Sequence, residues 1–179
     1  LSMAARVGSE TVKSPGTLVI STYAPCPDVR IRVTPDLKAP SSGDQGELIW
    51  INIEGKFRLG ASALAQAYMQ QGNECPDLQN VDGLKRAFNT TQKLLSEKAL
   101  LAGHDISDGG LIVCLLEMAI AGMCGIKVDL QNAMSDTSVE NVTKVLFAEE
   151  CGWVVVSIIR RKDKLVNSNS NIFNDFRFF

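Results

Sequence analysis

The 179-residue chain carries a single histidine, His104, and its five cysteines, Cys26, Cys75, Cys114, Cys124 and Cys151, never stand closer than ten positions. No Cys-x-x-Cys spacing occurs, so a structural zinc site of Cys and His ligands is disfavoured. The odd cysteine count fits free thiols in a reducing compartment, and the expected localisation is cytoplasmic. Neither sign of charge dominates: 18 basic and 20 acidic residues leave a formal charge of -2. That balance gives no electrostatic hold on a nucleic-acid backbone. No apolar run reaches the length of a membrane span. The start, Leu1-Ser2-Met3-Ala4-Ala5-Arg6, lacks both a signal-peptide apolar stretch and an initiator methionine, and reads as a segment of something longer. Aromatics are scarce at 6%, but hydrophobic residues reach 45%, enough for the core of one domain.

Residues 1–16, broken by Gly8, Pro15 and Gly16, read as a linker or the end of a preceding element. Thr17 to Ala24 is apolar and β-branched and predicts a strand. Val29, Ile31 and Val33 alternate with Arg30, Arg32 and Thr34, a second strand signal. Pro35 to Gly46 reads as a loop and Glu47 to Ile53 as the next strand. Arg58 to Gln71 has an alanine-rich helical stripe. Asn80 is a good cap for a second helix that buries Leu84, Ala87, Phe88, Thr91, Leu94 and Leu95 and ends around Leu100 to Gly103. Leu111 to Gly122 predicts a third helix, buried on most sides because Ile112, Leu116 and Ile120 widen its apolar stripe. Ile126, Val128 and Leu130 alternate as a short strand, Val139 to Phe147 reads as a helix, and Trp153 to Ile159 as an interior strand. The asparagine-rich stretch 160–179 is left without structure. The order of elements predicts an α/β fold of α+β type, a mixed sheet flanked by helices, with connections long enough for parallel neighbours.

Gly103-His104-Asp105-Ile106-Ser107-Asp108-Gly109-Gly110-Leu111 is the stretch with chemistry. It gathers the only histidine, two carboxylates, a hydroxyl and glycines just before an apolar helix. Amides at a helix start attract phosphate, and a carboxylate beside them holds a magnesium ion bridging to that phosphate. The plain alternative is that Ser107 or Asp108 caps the helix and Gly109-Gly110 is a tight turn. The stretch has neither P-loop order nor the dinucleotide glycine spacing. Glu149 and Glu150, before Cys151-Gly152, either hold a metal, orient an ammonia-handling site or form a solvated turn. Arg58, at a helix start where the dipole disfavours it, answers to an anion or is a plain surface arginine. The cysteines sit in apolar contexts and read as buried and inert.

The same residues, together with Leu115-Leu116-Glu117-Met118-Ala119-Ile120-Ala121-Gly122, resemble phosphoribosylformylglycinamidine synthases of the large single-chain form. Leu1-Ser2-Met3-Ala4, Pro15 to Ser21, Val33 to Leu37, Arg58-Leu59-Gly60 with Ala63 to Gln66, and Leu146-Phe147-Ala148-Glu149-Glu150 add to the likeness. The resemblance covers roughly residues 1–159. It implies the end of a preceding synthetase domain over 1–16, the second AIR-synthetase-like C-terminal domain over 17–159, and a divergent tail over 160–179 that leaves that domain incomplete. It also implies a role in converting formylglycinamide ribonucleotide, glutamine and ATP to formylglycinamidine ribonucleotide, glutamate, ADP and phosphate. By this resemblance Asp105 binds magnesium, Ser107, Gly109 and Gly110 meet the ATP or ADP, and His104, Asp108, Glu149 and Arg58 support them. No residue is assigned a catalytic role. The implied partners are the remaining synthetase domains and a glutaminase domain, with self-association through the sheet when they are missing, and neither nucleic acid nor membrane. Two alternatives stand beside this reading: a non-catalytic interaction domain that keeps only the fold, and another enzyme of the AIR-synthetase superfamily.

Overall fold

The computed structural model describes residues 3–14, 16, 18–37, 45–130, 134, 136–159 and 173–177. Four strands, β3 (Gln45–Asn52), β4 (Leu100–Asp105), β5 (Gly152–Ile159) and β6 (Phe173–Arg177), form one sheet in the order β4-β5-β3-β6. Every pairing in it is antiparallel, so the parallel neighbours that the long connections would permit do not occur among the described strands. Helices flank this sheet, the α/β arrangement of α+β type expected from the order of elements.

Alternation within the strands sends side chains to two faces. Leu48 and Trp50 of β3 and Val154 and Val156 of β5 meet Leu111, Cys114, Leu115 and Met118 of α3 (Gly110–Ala121) and Val145 of α4 (Val139–Phe147). Ile51 and Val155 point the other way, onto Leu84, Ala87, Leu94 and Leu95 of α2 (Val81–Ser96). The sheet is thus sandwiched between α2 and the α3–α4 pair. Leu48, Leu111, Met118, Val145, Val154 and Val156 are fully buried, and each such side chain contributes about 1.5–3 kcal/mol of transfer free energy.

The strand β4 is one of the elements that sequence reasoning missed, because a run of leucines and alanine leads into it directly from α2. A register shift between Leu100 and Ala102 also breaks its alternation, so Leu100 packs on the α2 face and Ala102 on the α3 face. Asn80 does cap α2, its side chain accepting from the Gly83 N–H at 2.8 Å. The neighbouring Gln79 and Asn80 N–H groups donate to Glu54 Oε1, which holds that carboxyl below its ordinary range. Phe88 is half exposed rather than buried, whereas Thr91 is anchored by the indole N–H of Trp153 at 3.0 Å.

Several expected elements differ. The helix predicted over 58–71 shrinks to α1 (Ala63–Ala67). Its leading backbone donors have distant partners: Arg58 N–H goes to Glu150, Gly60 N–H to Glu74 O and Ala61 N–H to Gln71 O. Left-handed backbone at Ala61 and Met69 bounds the remaining turn. Residues 18–24 form no strand, and Leu18, Val19, Ile20 and Tyr23 are exposed. Val29 to Val33 is irregular, with Val33 packed on the α2-side core, and the Thr34 carbonyl meets the sheet edge, accepting from Gly103 N–H at 3.2 Å. Ile126, Val128 and Leu130 form no strand but pack against the α3-side core. On α3, Leu116 and Ile120 are exposed, so that helix is buried on one side only.

Residues 4–13, inside the stretch read as a linker, form an exposed hairpin of β1 (Ala4–Val7) and β2 (Glu10–Lys13). Within 160–179, left without structure in the sequence reading, β6 pairs with the free edge of β3, whose backbone groups supply partners that composition does not reveal. Thr17, residues 38–44, and residues 160–172 and 178–179 lie outside the described residues. Replacing the α2 cap, Asn80→Ala, is expected to lower stability by about 1 kcal/mol, read as a lower urea midpoint at unchanged slope.

Candidate functional site

The glycine-rich stretch is the connection between β4, ending at Asp105, and α3, starting at Gly110. Ile106 N–H donates to Gly152 O at 2.9 Å, pinning the exit of β4 to β5. Gly109 and Gly110 both adopt left-handed backbone, with φ of 87° and 74°. A side chain at Gly110 would strike the Phe147 carbonyl carbon at 2.7 Å and Ala148 O at 2.9 Å, so the chain crosses the end of α4 where only glycine fits. Neither Ser107 nor Asp108 caps α3: the cap position is Gly109, which has no side chain to offer. Gly110 N–H donates to Ser107 O at 3.0 Å and Gly109 N–H to Glu149 Oε1 at 2.8 Å. Both glycine amides therefore have acceptors within the chain, and the role the structure gives these residues is conformational.

The two acids at the entry to β5 are not a solvated turn. Glu149 Oε1 also accepts from Ala63 N–H, the first residue of α1, at 2.8 Å. Glu150 is 4% exposed and receives three bonds from Arg58, from the backbone N–H at 2.9 Å and from Nε and Nη2 at 2.7 Å each. Arg58 Nη2 also donates to Asp77 O at 2.8 Å. The anion to which Arg58 answers is thus Glu150, whose hydrogen bonds raise the guanidinium pKa further above its ordinary value.

His104 sits between two carboxylates. Its Nε2 is 3.0 Å from Glu117 Oε2, and its Nδ1 is 2.8 Å from the Asp105 carbonyl and 3.3 Å from Asp105 Oδ1. The ring ties the end of β4 to α3. Glu117 received no role from sequence reasoning, yet it is the sole charge in the apolar α3, a signal that could have found it. The Asp105 side chain is 80% exposed, and Ser107 and Asp108 are exposed beside it. The structure therefore brings together Asp105, Ser107 and Asp108 on an open edge, with His104, Gly109, Gly110 and Glu149 behind them. Arg58 joins only through Glu150.

Among the described residues no three His, Cys, Asp or Glu side chains gather as a metal site. Asp105 and Asp108 both offer open carboxylates, a donor type that suits a hard divalent cation whose other ligands are oxygens. Cys114, beneath the site, is buried, with Sγ 3.9 Å from His104 O, and burial pushes its thiol pKa up to about 12. Cys114 fits the inert reading, and burial also raises the half-buried Cys151, whereas Cys26, Cys75 and Cys124 are exposed. Two adjoining open cavities of about 820 and 570 Å³ lie elsewhere, between residues 55–60 and 64–79 and Lys144. None of residues 103–110 lines them. Among the described residues, no helix is long and apolar enough to cross a membrane.

The family model described as "AIR synthase related protein, C-terminal domain" matches residues 47–167. The chain is 60% identical over 164 residues to the phosphoribosylformylglycinamidine synthase of Drosophila melanogaster, an alignment covering 87% of this chain and 12% of that protein. It is 53% identical over 156 residues to the Homo sapiens protein of the same name, covering 87% and 11%. It is 52% identical over 157 residues to the "Probable phosphoribosylformylglycinamidine synthase, chloroplastic/mitochondrial" of Arabidopsis thaliana, again 87% and 11%. The chain thus spans 11–12% of the length of these relatives.

Gly110→Ala is expected to lower stability by about 3 kcal/mol, since a left-handed alanine and a backbone clash combine, measured by chemical denaturation. The Cys114 thiol holds its proton more tightly when folded, from an ordinary value of 9.0 up to about 12. The unfolded chain therefore loses that proton first, and the contribution of this group to stability is full below pH 9 and falls as pH rises towards 12. Denaturation of wild type against Cys114→Ala from pH 8 to 11 reads this as a downward slope steeper in wild type than in the variant, which keeps Cys151.

Proposed function

Since the chain belongs to the AIR synthase related C-terminal domain family and is homologous to the phosphoribosylformylglycinamidine synthases, we propose that it serves as the nucleotide-holding part of such an enzyme. In this reading it carries one side of a magnesium–nucleotide site and has no complete activity alone. The observation that carries the reading is the open edge of Asp105, Ser107 and Asp108 at the junction of β4 and α3. Asp105 holds the magnesium ion and Ser107 Oγ hydrogen-bonds the nucleotide. Bound magnesium neutralises phosphate charge. Gly109 and Gly110 shape the turn, and His104 holds Asp105 against α3 through Glu117.

The parent reaction in this reading joins ammonia from glutamine to formylglycinamide ribonucleotide at the cost of ATP. ATP transfers a phosphoryl group to the amide oxygen, releasing ADP, and ammonia attacks the amide carbon and displaces that oxygen as phosphate. The remaining synthetase domains supply the other side of the site, and a glutaminase domain supplies the ammonia. Leu116 and Ile120, one turn apart on α3 and 49% and 74% exposed, support an outer face that such a neighbour covers. The same exposed face gives the second reading, a domain that keeps the fold only for interaction.

Calorimetry of the chain with ADP and magnesium separates the two. Binding that requires magnesium, and that Asp105→Asn weakens by about tenfold or more, is expected from a magnesium–nucleotide site. Absence of binding, or binding indifferent to Asp105→Asn, points to the interaction domain. Turnover by the chain with glutamine or ammonia is expected to be absent, and measurable product would overturn the partial-site reading.

A further inference from the structure

Glu149 holds two helix starts with one atom. At the start of α3 the cap position is Gly109, and no side chain there closes the turn. In a capping box the N–H of the cap residue is taken by the Glu or Gln three positions on. Here the acceptor comes from 40 residues further along the chain, as Glu149 Oε1 takes the Gly109 N–H at 2.8 Å. The same oxygen takes Ala63 N–H at 2.8 Å. One carboxylate oxygen therefore joins the starts of α1 and α3, which lie 46 positions apart in sequence.

The carboxylate is itself held in place. Its neighbour Glu150 is buried and bonded to Arg58 through three donors. Ala148 N–H, just before it, still belongs to α4, donating to Lys144 O at 3.0 Å. Charge-assisted bonds of this kind are shorter and stronger than neutral ones, and a negative group beside the start of a helix is favourable.

We propose that Glu149 is a positioning residue that locks the glycine turn to α1, and so fixes where the exposed Asp105 and Ser107 side chains stand. The identity of the ligand rests on the function proposed above, but the lock does not. Glu149 itself touches no ligand. Its effect passes through Gly109, two residues from Ser107.

Amide hydrogen exchange by NMR on the full chain tests the lock, with Glu149→Ala and Glu149→Gln as variants. Loss of the charged acceptor is expected to speed exchange at Gly109 and Ala63 by about tenfold or more. The core amides of Leu115 and Val154 stay unchanged, and the amide resonances of Asp105 and Ser107 shift. Glu149→Gln keeps a neutral acceptor of the same shape and is expected to fall between wild type and alanine. Magnesium-dependent ADP affinity is expected to drop in the same order. Unchanged exchange at Gly109 or Ala63, or loosening shared equally by Leu115 and Val154, would overturn the proposal. Should the alanine variant unfold, the glutamine variant alone decides by the same readout. If wild type binds no ADP while Gly109 and Ala63 loosen as expected, the lock stands and the nucleotide reading fails.

Discussion

The dipeptide Glu149-Glu150 is the constraint on which the site depends. Its two carboxylates collect five backbone and side-chain donors from Arg58, Ala63 and Gly109. Those donors come from the loop after β3, the start of α1 and the cap of α3, three places that the sheet alone does not align. A carboxylate excluded from water is costly unless its lone pairs are filled, and Glu150 is filled by a guanidinium fork whose geometry admits few arrangements. The backbone that follows β3 is therefore bent away from helix, and the chain that would have continued an alanine-rich helix from Arg58 instead turns to meet the acids.

Much of the architecture can be read from the residues. The helix α2 begins at the cap that its sequence announces but ends at Ser96, short of the expected Leu100 to Gly103, α4 covers the expected Val139–Phe147, and β5 follows from a nearly continuous apolar run. The site stretch was also visible, since one histidine and paired carboxylates rarely stand beside so many glycines. What was not visible depends on distant partners. The β4 strand has a bulge that scrambles its alternation, and it follows α2 without a breaker. Residues 18–24 have the composition of a strand but no pairing among the described residues. The stretch at 126–130 alternates, yet its apolar residues pack on the core without joining the sheet. Periodicity reports which side chains seek burial. It does not report which backbone is left to pair with.

The glycine turn shows the same limit at finer scale. Sequence reasoning offered two readings, an anion cradle of free amides or a cap with a tight turn. The structure divides them between different atoms. The backbone of Gly109 and Gly110 is consumed internally, by Glu149 and by the Ser107 carbonyl, and both residues are buried because α3 passes close to the end of α4. The side chains that flank them, Asp105, Ser107 and Asp108, face outward. In the second reading Ser107 or Asp108 caps α3, but the cap position is Gly109, whose own N–H goes to a remote carboxylate, which releases both side chains from capping.

That release has an electrostatic consequence for any nucleotide that meets this edge. The exposed charges beside Ser107 are the carboxylates of Asp105 and Asp108, and a third carboxylate, Glu117, lies on the far side of His104. The glycine amides that would attract a phosphate are already engaged. A bare phosphate approaching here meets like charge, and at a partly exposed surface that repulsion is felt over several ångströms. A divalent cation reverses the sign. Magnesium accepts one or two carboxylates and fills its remaining positions with phosphate oxygens and water, and the open carboxylates of Asp105 and Asp108 are donors of that type. In the function proposed above, the charges at this edge are the reason a bound phosphate would come with its metal.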